Sequence, residues 1–549
     1  MTEILESDVV IVGAGSAGCV LASRLSENCS LRVLVLEAGR RDRLGATRLP
    51  SALMRVAGNA RYDWLYTSEP DPTRNGRTEA WPRGKTLGGS SAINGAIFVR
   101  GAPSDYDAWA TMGCAGWAWR DVLPLFRRLE TADTPDNADR GGLGPQRVSG
   151  LRWVHPLTPK FIAAALAAGI PFTEDLNGPR HDGIGYNQGS TIRGRRLGAY
   201  EAFVEPHLSS RPNLAVLDDM LVEHVRFEGR RAVGVRVRRG GRSLEISARG
   251  GVVLAAGAIN SPQILMLSGV GSAEELRRHG IASLVDSAEV GQNMMEHSGL
   301  HVRVEVDQRT GNREAALWRA MWNVGRWLIC RDGPVSSPTV QALAFFRSST
   351  EVPECDLQLH LLPYGATLQD GRHRVAPRRN LLTIQVNINH PRSRGWVALR
   401  SADPSAAAMI HPRLLKEQDD VECLLRGLHW LRLVTATPPF CTHVRALLDV
   451  PPGSAGREAD IGYLRATAMP FLHPVGTCRM GSDAGSVITP ELRVRGTEAL
   501  WVADASIFPR HTAGNINATA LMIGEKAGDL VGAALAVKGP VTGSLRRGF

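Results

Sequence analysis

Asp8-Val-Val-Ile-Val12-Gly13-Ala-Gly15-Ser16-Ala17-Gly18 is followed, after a helical stretch from Cys19 to Leu25, by Arg32-Val-Leu-Val-Leu-Glu37. A buried strand, a glycine turn, a helix and a second strand ending in an acid are the opening of a dinucleotide-binding βαβ unit. Gly13 permits the tight turn, Gly15 lets backbone approach a pyrophosphate, and Gly18 lets the helix pack closely on the sheet. The N–H groups at Ser16 and Ala17 then face the diphosphate at the start of that helix. Glu37 stands nineteen residues beyond Gly18, where an acid accepts hydrogen bonds from ribose hydroxyls. Alone, the glycine pattern fits a turn in any α/β protein; the strands on both sides point to an adenine dinucleotide.

The chain is 549 residues long, too long for one ordinary core, so two or more domains are expected. With 43% hydrophobic and 21% charged residues, its composition is globular, neither disordered nor that of a membrane bundle. No apolar run approaches the roughly 20 residues of a spanning helix. The longest candidate, Phe161 to Phe172, is broken by Gly169 and Pro171. Glu3, Glu6 and Asp8, with no basic start or apolar segment, argue against a secretory leader and for a cytoplasmic protein. The net charge of +10 is almost all arginine, scattered in short clusters with no recognition motif, so no nucleic-acid partner is expected. The eight cysteines form no Cys-x-x-Cys and no metal spacing with histidine, so neither zinc nor another metal is expected, and the chain suits a reducing compartment.

Beyond Glu37, residues 40 to 83 carry little periodicity and read as a long loop lying across the ligand. Arg83-Gly-Lys85-Thr-Leu-Gly88-Gly89-Ser90-Ser91-Ala-Ile93-Asn94-Gly95 then offers glycines and hydroxyls that present several N–H groups to an anion. The glycine-rich loop from Thr131 to Gly144 reads as a domain boundary, and Asp175 to Gly189 as turns. Leu214-Leu217, Leu221-Phe227 and Ala232-Val237 read as a small antiparallel sheet. Gly251-Val-Val-Leu-Ala-Ala256-Gly257 returns to a buried strand, and a helix is expected with Ser261 as its N-cap and Pro262 at its first position. Between residues 300 and 460, a Trp-rich helix from Leu317 to Cys330 and strands near 356–362 and 381–388 are expected. Near the end, His473 sits between Leu472 and Pro474 before the Gly476-Thr477 turn, on the rigid backbone that a general base requires.

The N-terminal unit together with residues 83–95 resembles the first signature of the glucose-methanol-choline (GMC) oxidoreductases, and Gly257 to Gly271 resembles the second. Glu37-Ala38-Gly39 resembles the FAD form of the dinucleotide motif. The resemblance implies an α/β (α+β) fold, in which a Rossmann-like FAD-binding domain is joined to a substrate domain built on an antiparallel sheet flanked by helices. Residues 1–152, 195–300 and 470–549 would form the first, and 153–194 with 301–469 the second. It implies His473 as catalytic base, paired with Asn515. Flavin contacts are implied at Arg83, Gly88, Gly89, Ser90, Asn94, Gly95, Ala256, Gly257, Ser261, Asp504, Ala505, Asn515, Ile516 and Asn517, besides those of the first stretch. The positive N-terminus of the last helix would face the flavin pyrimidine edge, and His511 is read as structural. The implied reaction is oxidation of an alcohol, with the hydroxyl proton passing to His473 Nε2 while Asn515 donates to the same oxygen and hydride passes to flavin N5. The acceptor would be O₂ or a quinone or dye. Members that act as hydroxynitrile lyases, using the same histidine without net redox, are one alternative, and choline dehydrogenase is another.

Two departures narrow the reading. Choline-oxidising members carry a glutamate two residues after the histidine matching His297, where this chain has Gly299, so an uncharged primary alcohol, aryl or aliphatic, is favoured. Some members anchor flavin through a histidine in the Gly-Gly-Ser-Ser loop, where this chain has Ile93, so FAD is expected to be held non-covalently. Acid precipitation of the holoprotein is expected to release all the FAD into the supernatant, as measured by its fluorescence; colour in the pellet would contradict this.

Overall fold

The computed structural model describes residues 5–536 except 44, 53–55, 134–138, 315–316, 370–371 and 376–378. Two seven-stranded sheets organise them. In the first, Leu214–Leu217, Val33–Leu36, Leu5–Val12 and Arg242–Leu254 run parallel, and Leu500–Val502 joins the last of these, also parallel. Residues 9–12, 33–36, 252–254 and 500–502 are buried on both faces, which explains their continuous apolar runs. The helix Ser16–Leu25 packs beneath, and a Cβ on Gly18 would lie 2.0 Å from the Gly13 carbonyl oxygen, so only glycine permits this approach.

The small antiparallel sheet expected around residues 214–237 is not separate. Arg242–Leu254 is a thirteen-residue strand. Its first half pairs antiparallel with Arg231–Arg239, which pairs in turn with Leu221–Glu228, while its second half lies in the parallel core. Leu214–Leu217 belongs to the parallel part. One long strand thus fuses the two readings into a single sheet.

The second sheet is antiparallel, in the order Val444–Leu448, Ser298–Val306, Leu381–Ile388, Leu357–Leu362, Ala342–Phe346, Gly183–Tyr186. Met469–Pro470 adds to Ser298–Val306. The segment Gly183–Tyr186 was expected as turns; its glycines let it pair as an edge strand where a side chain would meet the carbonyls of Pro171 and Thr173. Helices Leu157–Ala167 and Gln418–Ala436 cover one face through Phe161, Leu424, Leu428 and Leu431. The opposite face, lined by alternate polar residues, turns toward the first sheet. The strand Ser298–Val306 straddles the domain division expected at residue 300.

The helix of the second signature runs Gly257–Leu267, so Ser261 is not its N-cap and Pro262 lies inside it. Proline at this position removes the hydrogen bond that the Ala258 carbonyl would accept from residue 262. Thr477 Oγ1 donates to that carbonyl instead, at 2.6 Å. The turn after His473 therefore fills a vacancy that the proline creates.

Candidate active site

Between the sheets lies a cavity of about 1440 Å³, larger than the several hundred Å³ that hold one small ligand. At one end three helix N-termini converge: Ser16–Leu25, Gly257–Leu267 and Asn517–Ala536. Ser16 Oγ donates to Asn517 Oδ1 at 2.7 Å, joining two of them. Each carries N–H groups without a partner inside its own helix, and partial positive charge, which suits a diphosphate. A Cβ on Gly15 would meet only the Ala255 carbonyl oxygen, at 3.9 Å, and one on Gly257 nothing within 4 Å, so their bare backbones leave the cradle open. The buried Glu37 accepts from Ala14 N at 3.0 Å and Gly39 N at 2.9 Å. Burial outweighs those bonds and pushes its carboxyl up to about 7. The residues present fit an adenine dinucleotide.

The Gly-Gly-Ser-Ser loop closes on this cradle. Gly88 N donates to Ala14 O at 2.8 Å, and a Cβ on Gly89 would lie 2.8 Å from Gly15 Cα. Asp504 Oδ2 accepts from Gly257 N at 2.9 Å and from Ser261 Oγ at 2.5 Å, while its Oδ1 accepts from Ser506 N at 2.8 Å. Gly13, Gly15, Ser16, Ala17, Glu37, Ala38, Arg83, Gly89, Ser90, Asn94, Gly95, Ala256, Gly257, His473, Asp504, Ala505, Asn515, Ile516 and Asn517 all line the cavity. Gly18, Gly88 and Ser261 stand behind that wall and hold its shape. Arg83 Nη2 donates to the Leu472 carbonyl at 2.6 Å, so it also tethers the His473 segment.

His473 stands at the cavity wall beside Asn515, two residues before the N-terminus of Asn517–Ala536. Its Nε2 lies 3.0 Å from Asn515 Nδ2, its Nδ1 lies 3.1 Å from His297 Nδ1, and its backbone N donates to Glu296 Oε1 at 2.8 Å. The tautomers follow from the ends of this chain of contacts. His297 Nε2 faces two carbonyl oxygens, of Asn389 at 2.9 Å and Thr512 at 3.1 Å, so it carries the hydrogen. His297 Nδ1 is then an acceptor, His473 Nδ1 donates to it, and His473 Nε2 is left with a lone pair directed at Asn515. Gln358 Nε2 fixes the amide by donating to Asn515 Oδ1 at 3.2 Å. His511 stacks on His297, with ring centroids 3.6 Å apart, and faces two carbonyl oxygens, that of His473 with Nε2 at 2.9 Å and that of Thr512 with Nδ1 at 3.0 Å. Burial, and then the neighbouring His511, hold both His473 and His297 well below the usual histidine range, so both are neutral.

Opposite His473, the antiparallel sheet presents polar side chains in rungs. His301, Gln385 and His360 are in register on three adjacent strands, and Gly299, Asn387 and Gln358 form the rung beside them. His360 Nδ1 lies 3.0 Å from Gln385 Oε1 and so must donate, which makes its Nε2 an acceptor. That Nε2 is buried with no partner among the described residues. Burial holds His360 neutral, at about 4. A Cβ on Gly299 would lie 2.2 Å from the Val386 carbonyl oxygen and 2.7 Å from Asn387 Cβ, so this position has no room for a carboxylate side chain. The grouping Asp105, Glu354 and His390 lies outside this cavity and is knitted by its own hydrogen bonds to Ala513 N and Arg510.

Residues 7–299 match the N-terminal model of the GMC oxidoreductases, and residues 391–524 match the C-terminal one. The chain belongs to the GMC oxidoreductase family. It is 36% identical to an alcohol dehydrogenase [acceptor] of Pseudomonas putida, over 95% of each chain. It is 38% identical to the mitochondrial choline dehydrogenase of Mus musculus, over 96% of this chain and 89% of the relative. A formate oxidase of Aspergillus oryzae, whose FAD is subject to modification, superposes with a TM-score of 0.90 at 27% identity, over 97% of this chain and 99% of the other. As a GMC oxidoreductase the protein has the mixed α/β fold and redox class that its two signatures imply.

Reasoning from sequence did not single out Glu296, Gln358, His360 or Gln385. The period-two alternation of Leu357-Gln-Leu-His-Leu-Leu362 and Leu381-Leu-Thr-Ile-Gln-Val-Asn-Ile388 carried the signal for three of them. Glu296 is buried, with one oxygen unpartnered among the described residues. Burial pushes its carboxyl up to about 8, against 4.5 for the free group. Between those values the unfolded carboxyl is ionised while the folded one keeps its proton, so this group's contribution to stability falls as pH rises and levels off above about 8. In cofactor-stripped protein, Glu296→Gln is expected to flatten the loss of thermal midpoint between pH 5 and 8, measured by circular dichroism. An unchanged slope would remove Glu296 from this role.

Proposed function

We propose that the protein is an FAD-dependent oxidoreductase that converts an uncharged primary alcohol to the aldehyde, with His473 as the base. The observation that carries this is the unprotonated His473 Nε2 paired with Asn515 at the cavity wall, beside a cradle that fits a dinucleotide. FAD would be held non-covalently along Gly13 to Gly18, Glu37, Gly89 and Ser90, Asp504 and the N-terminus of Asn517–Ala536. When bound, it supplies the two-electron acceptor for the hydride. A substrate hydroxyl would replace Asn515 on the lone pair of His473 Nε2 and give up its proton there, while the freed Asn515 amide donates to the same oxygen. Neutral histidine, secured by burial, is the form this step needs.

His473→Ala is expected to slow flavin reduction by a primary alcohol at least about 10²-fold, with FAD content unchanged, in anaerobic stopped flow. In the wild type the rate is expected to stay level as pH is lowered through the usual histidine range. Near-normal reduction in the variant would overturn the role of His473. A flavin that no alcohol bleaches would favour lyase chemistry instead.

The polar wall supports a finer reading of the substrate. Gln358 and His360 are two residues apart on one strand face, about 7 Å, and Gln358 is bonded to Asn515. An alcohol whose oxygen sits at Asn515 and which carries a second O–H or N–H about 6–7 Å away would satisfy the lone acceptor of His360. Choline offers no such donor, and its charge finds no carboxylate at Gly299, despite the choline dehydrogenases among the relatives. 1,5-Pentanediol is therefore expected to exceed 1-hexanol about tenfold in kcat/KM, with His360→Phe abolishing the preference. Equal values in the wild type would remove the second donor from the substrate.

A further inference from the structure

The Trp-rich helix Leu317–Cys330 is turned inside out. Trp318, Met321, Trp322, Leu328 and Ile329 recur at helical spacing and are between 57% and 85% exposed. Gly325 lies in the same stripe and would meet nothing within 4 Å if it carried a Cβ. The helix is pinned by its opposite, narrower face: Trp327 is buried and donates from Nε1 to the Gly194 carbonyl at 2.6 Å, and the buried Asn323 donates to Glu314 at 3.0 Å. Scattered exposed apolar residues need no explanation, but a continuous stripe bearing two tryptophans does.

Gly194 belongs to the hairpin Thr191–Ile192/Arg195–Arg196, whose tip places the exposed Ile192 and Arg193 beside the helix. Arg195 and Arg331 both lie over the Trp327 ring, at 5.7 and 4.4 Å, and Arg152 donates to the Arg331 carbonyl at 2.9 Å. Arg152, Arg193, Arg195 and Arg331 form no ion pair among the described residues, although the chain pairs many of its other arginines. Unneutralised arginines thus border an exposed apolar stripe.

We propose that this face seats the protein on an anionic lipid bilayer, with the helix lying flat in the interface. Fourteen residues span about 21 Å, too short to cross a membrane, and no described helix is long and apolar enough to do so. An amphipathic helix with tryptophan on the apolar side and arginine at its border is suited to the headgroup boundary, where apolar side chains enter the acyl region and guanidinium groups meet lipid phosphates. A second copy fits the face poorly, because a two-fold contact would bring its unpaired arginines toward their own symmetry mates.

The test is co-sedimentation of the full-length holoprotein with vesicles of phosphatidylglycerol and phosphatidylcholine mixed equally, beside pure phosphatidylcholine. The mixed vesicles are expected to carry most of the protein down at low salt, the pure ones little, and 0.5 M NaCl to reverse the binding. Trp322→Ser combined with Ile329→Ser is expected to cut partitioning at least about tenfold, and Arg152→Gln with Arg193→Gln to weaken it severalfold. FAD content, read at 450 nm, and flavin reduction by alcohol are to stay unchanged in both variants, which separates lost binding from lost folding. No sedimentation with mixed vesicles, or equal binding to both kinds unaffected by the variants, would overturn the proposal. So would a wild-type dimer by light scattering that the Trp322→Ser/Ile329→Ser variant converts to monomer.

Discussion

A single buried carboxylate, Asp504, ties the ends of this chain to its middle. It accepts from the first N–H of the helix Gly257–Leu267, from the Ser261 hydroxyl and from Ser506. It thereby fixes where one helix N-terminus opens into the cavity, and sets the strand Leu500–Val502 in register beside Val252 to Leu254. The segment that follows this strand carries His511, which holds the His473 carbonyl, and Asn515, which faces His473 Nε2. Thr477 reaches back to the Ala258 carbonyl exposed by Pro262. The dinucleotide cradle and His473 are therefore braced by the same few hydrogen bonds.

Much of this was legible in residue order. The first βαβ unit, the paired glycines at 88 and 89, and the meeting of His473 with Asn515 follow from motifs whose spacing is local or whose family pattern is long. Other features depend on partners far away in the chain. The helix at Gly257 begins four residues before the serine and proline that look like its start, because Asp504, some 247 residues on, supplies the acceptor at its N-terminus. Arg242–Leu254 runs on through Gly250 and Gly251 because strands on both sides need it, and Gly183–Tyr186 is a strand only because Ala342–Phe346 pairs with it. The polar rungs were visible as alternation. Which face of that alternation was solvent and which was cavity could not be read without the second sheet in place.

The electrostatics of the cavity are set by geometry more than by formal charge. Helix N-termini supply partial positive charge to the cavity, while His297, His360, His473 and His511 are all kept neutral by burial. Arg83 is a cation close to His473, and its guanidinium donates to the Leu472 carbonyl. Gly299 leaves no room for a carboxylate side chain at its own place on this wall.

With His473 in the proposed role, the relay behind it also governs how a captured hydrogen ion would get out. From His473 Nδ1 the line passes to His297 and stops at the carbonyls of Asn389 and Thr512, which are too weakly basic to take it further. The rear of His473 is a dead end. In the proposed reaction, an ion taken up on Nε2 would have to depart by the side from which it arrived, so resetting the site for another turnover would wait on the emptying of the cavity.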